Sequence, residues 1–132
     1  MSVLVWTSLY LLTNSLAAYH RDYMMYAFLF LFLTITSVFN HATHHPLINS
    51  IDKIAVYAVA IYGAYHLYSY SSWNQFCMIL VIISTFLMTL VLYEYGFLHN
   101  KYCFDSDPIL SQMYHGYMHI IGSIGHHLLM CL

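Results

Sequence analysis

The stretch YMMYAFLFLFLTITSVF, Tyr23 to Phe39, decides the fold. It carries no charge and is dominated by Phe, Leu, Met and Tyr, close to the roughly 20 apolar residues a helix needs to cross a bilayer core. Before it, His20, Arg21 and Asp22 form a polar turn that separates it from an earlier apolar run interrupted by Thr7, Ser8, Thr13 and Asn14. After it, His41 to Ser50 reads as a connection, with Pro46 stopping a helix. Three more apolar segments follow, giving expected helices at 3–19, 23–40, 51–70, 75–93 and 109–132. The Ile- and Val-rich fourth segment is a helix rather than a strand, because an isolated strand leaves its backbone unpaired in lipid. The expected fold class is all-α, a polytopic transmembrane bundle of about five helices forming one domain over residues 1–132.

Composition supports this reading. The chain is 61% hydrophobic and 6% charged, with a mean hydropathy of +0.67, against roughly 25% charged residues in ordinary globular domains. Three Lys plus Arg residues and a net charge of −2 argue against nucleic-acid binding. Three cysteines without CxxC spacing argue against a disulfide framework or a zinc knuckle. The first run has no basic region before it, Arg21 coming afterwards, so it is expected to be a retained helix.

Against that background, ten histidines call for an explanation. Ionisable groups in membrane helices need pairing, solvation or a ligand. Alternate crossings place the end of the second helix, the start of the third and the early turns of the fifth near one membrane face. His41, Asp52, His115 and His119 therefore gather there, with Ser37 one turn before His41. His115 and His119 are spaced to share one helical face and bind one ion. With His41 they make a three-nitrogen set suited to catalytic Zn2+. Asp52 reads either as a helix cap or as the group that orients and deprotonates water. Ser37 reads either as an oxyanion donor or as a hydroxyl bonded to the carbonyl four residues back. His44 and His45 are alternatives to His41, His66 is expected to be a hydrogen-bonded interior residue, and His126 and His127 suit interfacial or dimer contacts.

The order Ser37-Val-Phe-Asn-His41, Asp52 and His115-Gly-Tyr-Met-His119 resembles the superfamily of alkaline ceramidases, progestin and adiponectin receptors and Per1-type proteins. The step from His41 to Asp52 is most like that of the alkaline ceramidases. The resemblance implies a membrane lipid substrate, zinc on the three histidines, and hydrolysis of a lipid amide assisted by Asp52 and Ser37. Members usually have seven helices. Losing two between the third and last keeps every motif residue on its side but removes part of the wall around a lipid chain. The substrate is then smaller or less enclosed, or a second copy in a homo-oligomer completes the cavity.

Two other functions compete: a non-enzymatic lipid receptor or structural membrane metalloprotein, and a bis-histidine haem protein. Lys53 and Lys101 on the motif face, against Arg21 on the other, favour a cytosolic metal site in a multi-pass integral membrane protein.

Overall fold

The computed structural model describes residues 3–132, and every regular element among them is helical. Five rods form the bundle. The first is broken at Leu9 into α1 (Val3–Ser8) and α2 (Tyr10–His20). The second is α3 (Met24–Thr43) and the third α4 (Pro46–Tyr70). The fourth comprises a 3-10 turn (Trp73–Gln75), α5 (Phe76–Leu90), a π-helical stretch (Val91–Tyr95) and α6 (Gly96–His99). A second 3-10 turn (Tyr102–Phe104) leads to the fifth rod, α7 (Pro108–Leu129).

Three segments are long and apolar enough to cross a membrane: Met24–Thr43, Pro46–Tyr70 and Trp73–Phe104. Their outer faces are apolar: Phe28, Ile61, Leu87 and Leu98 are all exposed. On α5 only Ile82 is buried, a pattern that suits a helix bathed in lipid. The 22 residues of α7 reach about 33 Å, enough to span by length. Its low apolarity comes from inward-facing polar groups, with His119, Ser123 and His126 buried.

The connection between α3 and α4 is much shorter than expected. Pro46 opens α4 instead of stopping a helix, because its fixed φ and missing N–H suit the first helical position. His44 takes a left-handed conformation and His45 an extended one, and the His45 Nδ1 accepts from the Leu47 N–H at 3.2 Å. Asp52 therefore lies in the second turn of α4 and caps nothing. The expected loop after residue 93 is also largely helical, continuing through the π-helical stretch to His99.

Helices α2, α3 and α4 pack in sequence, while α5 packs on α7, and α7 contacts both α1 and α2. A core of Leu11, Ala18, Tyr26, Phe30, Leu33, Ala55, Val59, Ile82 and Leu129 fills the centre. Polar bonds stitch the same seams: Asn14 Nδ2 donates to Ser123 Oγ at 2.5 Å, and Ser15 Oγ to the Ala27 carbonyl at 2.8 Å. Between α4 and α5 there is almost no packing, so the bundle stays open along that side.

The α5–α7 seam depends on Gly125. A Cβ added there would fall on Thr85 Oγ1 and lie 3.1 Å from Thr85 Cβ, the close approach that small residues permit between membrane helices. Gly125→Ala is expected to destabilise the bundle by about 1–3 kcal/mol. Thermal unfolding in detergent should show a lowered midpoint, partly restored when Thr85→Ala is added.

Candidate metal centre

The metal-ligand residues arrive on two helices. His41 occupies the last turn of α3, while His115 and His119 lie one turn apart near the middle of α7. One ring nitrogen from each of the three lies within 4.8 Å of the others, a cluster able to hold a metal ion. The rings form a nearly regular triangle: centroids are 5.0 Å apart for His41–His115, 5.4 Å for His41–His119 and 5.0 Å for His115–His119. His41 and His119 are buried and His115 is half-buried.

Two observations fit a cation at the centre of the triangle. His41 Nε2 is sealed from solvent and has no hydrogen-bond partner among the described residues. A buried ring nitrogen left this way is costly unless something binds it. His119 Nδ1 lies 3.0 Å from Thr7 Oγ1, whose own proton goes to the Leu4 carbonyl at 3.2 Å. Thr7 therefore accepts from His119 Nδ1–H, which leaves the Nε2 lone pair for a metal. A partner on the second nitrogen is how ligating histidines are normally fixed.

Asp52 reaches the same region from α4. Its Oδ1 accepts from Thr36 Oγ1 at 2.9 Å and its Oδ2 from Asn40 Nδ2 at 3.1 Å, both on α3. Each carboxylate oxygen keeps a second acceptor position. Ser37 is fully buried, and its hydroxyl lies 2.9 Å from that of Ser8. Because Ser8 donates to the Leu4 carbonyl at 2.7 Å, the Ser37 proton points to Ser8. The bond sought four residues back is not the one Ser37 makes.

Asp52, Ser37, His115 and His119 line one cavity of about 230 Å³ together with Lys53, Tyr57, Tyr93 and Glu94, while His41 lies outside its lining. Its walls come from α3, α4, the fourth rod and α7, with Leu11 of α2, and it occupies the side where α4 and α5 part. Tyr57 bridges the gap by donating to Glu94 Oε1 at 3.1 Å. The π-helical stretch that carries Tyr93 and Glu94 supplies this part of the wall, as such distortions often do at functional sites.

Several of these contributors escape the sequence reading. Thr36 and Asn40 form a polar stripe with Ser37 and His41 on an otherwise apolar helix, a signal present at positions 36, 37, 40 and 41. Thr7 and Ser8 look like mere interruptions of a span, yet they hold His119 and Ser37. His44 and His45 stay exposed in the α3–α4 corner, outside the triangle. His66 is buried as expected but not hydrogen-bonded: it lies among the rings of Tyr23, Tyr26 and Tyr70 with Nε2 unpaired. His126 is interior, not interfacial, and is bonded to the Tyr26 hydroxyl.

Comparison of the chain with family models, with curated proteins and with solved structures finds no match. The family resemblance therefore rests on the motif residues alone, and the geometry of the site carries the functional argument. If Thr7 sets the tautomer of His119, Thr7→Val should weaken metal affinity, probed with added zinc, about 10- to 100-fold. Competition against a chromophoric chelator measures the change, and Thr7→Ser should largely retain the affinity.

Proposed function

We infer that this protein is a zinc-dependent membrane hydrolase acting on a lipid amide of the ceramide-like class. The observation that carries the reading is the triangle of three imidazoles, two of which, His115 and His119, line one cavity together with the Asp52 carboxylate. Three histidine nitrogens with room for a further ligand suit zinc in a catalytic role. His41, His115 and His119 would hold the zinc ion, which when bound would supply a Lewis acid and a water activated near neutral pH. The haem alternative is disfavoured by the rings themselves, which pack directly against one another with no gap for a macrocycle.

The chain's own residues account for the remaining chemistry. Asp52 takes a proton from the attacking water and returns it to the amide nitrogen, which leaves as the amine while the acyl group leaves as the acid. Thr36 and Asn40 fix the carboxylate, so it needs no reorientation as the proton moves. The Ser37 hydroxyl turns from Ser8 to donate to the carbonyl oxygen as negative charge gathers there. Leu33, Phe30, Val59 and Phe86 form an apolar wall for a hydrocarbon chain.

Cavity size limits the substrate. About 230 Å³ falls below the roughly 300–1,000 Å³ of pockets that enclose a drug-sized ligand. One chain enters the protein, and the rest of the lipid stays in the bilayer through the opening between α4 and α5. His119→Ala is expected to abolish both zinc retention and fatty-acid release from a lipid amide. Asp52→Asn should keep about one zinc per chain while turnover falls roughly 10²- to 10⁴-fold. Stoichiometric zinc and bound lipid, with no product from any lipid amide, would instead make the protein a non-enzymatic receptor.

A further inference from the structure

The cavity does not end in hydrocarbon. His126 lines it, seven residues beyond His119 on α7 and thus on nearly the same helical face, about 10 Å further along the axis. The wall between is largely apolar, formed by Phe30, Leu33, Val59 and Phe86, and the Thr89 hydroxyl in it donates to the Phe86 carbonyl at 2.8 Å. The His126 ring is packed edge-on against Phe30 and Phe86, with centroids 4.9 Å from each. Its Nδ1 is engaged by the Tyr26 hydroxyl, and Gly63 on α4 leaves the space that the Cε1 edge fills. That leaves Nε2, which has no hydrogen-bond partner among the described residues. Unlike the Nε2 atoms of His41 and His66, it is not sealed off. An imidazole clamped in one orientation by Tyr26, Phe30 and Phe86, with its last polar atom unpaired among the described residues, is costly for packing alone.

We propose that His126 is a specificity-determining residue that hydrogen-bonds a hydroxyl group carried by the substrate chain about 10 Å from the metal-bound end. The proposal rests on the metal-site reading above. A hydroxyl is the group that fits either tautomer. When Tyr26 donates to Nδ1, the Nε2–H needs an acceptor; when Nδ1–H donates to Tyr26, Nε2 needs a donor. A purely hydrocarbon chain would leave His126 unpaired. The preferred substrate is therefore a hydroxylated acyl amide rather than one with a plain hydrocarbon chain.

The test uses straight-chain hydroxamic acids, which bind zinc through the hydroxamate, with a single hydroxyl walked along the chain. Binding to the zinc-loaded protein in detergent is measured by calorimetry. A hydroxyl about 10 Å from the hydroxamate should tighten binding about three- to tenfold relative to the plain chain, and positions several carbons away should weaken it. His126→Phe should abolish that preference while still binding the plain chain, and His126→Gln should keep part of it. Plain-chain binding and zinc content establish that each variant is folded. Normal zinc and normal plain-chain binding with no hydroxyl preference would overturn this proposal and spare the metal site. Absence of zinc binding in the unmodified protein would defeat both.

Discussion

Polar side chains drawn into this bundle depend on the protein for their partners, because lipid offers neither donors nor acceptors. That constraint explains how the site is built. Asp52 is held by Thr36 and Asn40, Ser37 by Ser8, and His119 by Thr7. Each bond joins two helices, so the groups that position the candidate metal site are also the cross-links that hold α1, α3, α4 and α7 together at one end. The clearest remainder is His41 Nε2, buried and unpaired at the corner of the histidine triangle. Asn14 Oδ1 and His66 Nε2 are also buried without a partner among the described residues, but of the three only His41 Nε2 belongs to a cluster of nitrogens able to hold an ion.

The same logic separates the two sides of the bundle. The α1–α3–α7 side is closed by hydrogen bonds and small-residue contacts, whereas α4 and the fourth rod are bridged by the bond from Tyr57 to Glu94 in the π-helical stretch. An apolar helix can stand away from its neighbour in lipid without the penalty it would meet in water, since association there lacks a hydrophobic driving force. The cavity lies beside that open seam.

The spans were legible because hydrocarbon thickness imposes a length and a composition that Tyr23 to Phe39 meets directly. Alternation of crossings was enough to bring Ser37, His41, Asp52, His115 and His119 to one end. Local geometry was not legible to the same degree. Pro46 can end one helix or begin the next, and only the left-handed His44 and extended His45 before it decide for the latter. The break at Leu9 has no Pro or Gly to announce it, and the π-helical turn at Val91–Tyr95 leaves hydropathy unchanged. Thr7 and Ser8 gain meaning only from residues more than a hundred and about thirty positions away, a relation that periodicity does not encode. His126 was read as interfacial because it nears a helix end, but packing of α7 against α3 and α5 brings it inside.

The central claim is that one metal ion sits on His41, His115 and His119. X-ray absorption at the zinc edge of the purified, zinc-loaded protein tests it most directly. The account predicts a first shell of nitrogen and oxygen only, fitted by three imidazoles at about 2.0–2.1 Å, with one imidazole lost in His41→Ala. A sulfur shell at about 2.3 Å, which would assign the metal to cysteine, or a spectrum unchanged by His41→Ala, would contradict it.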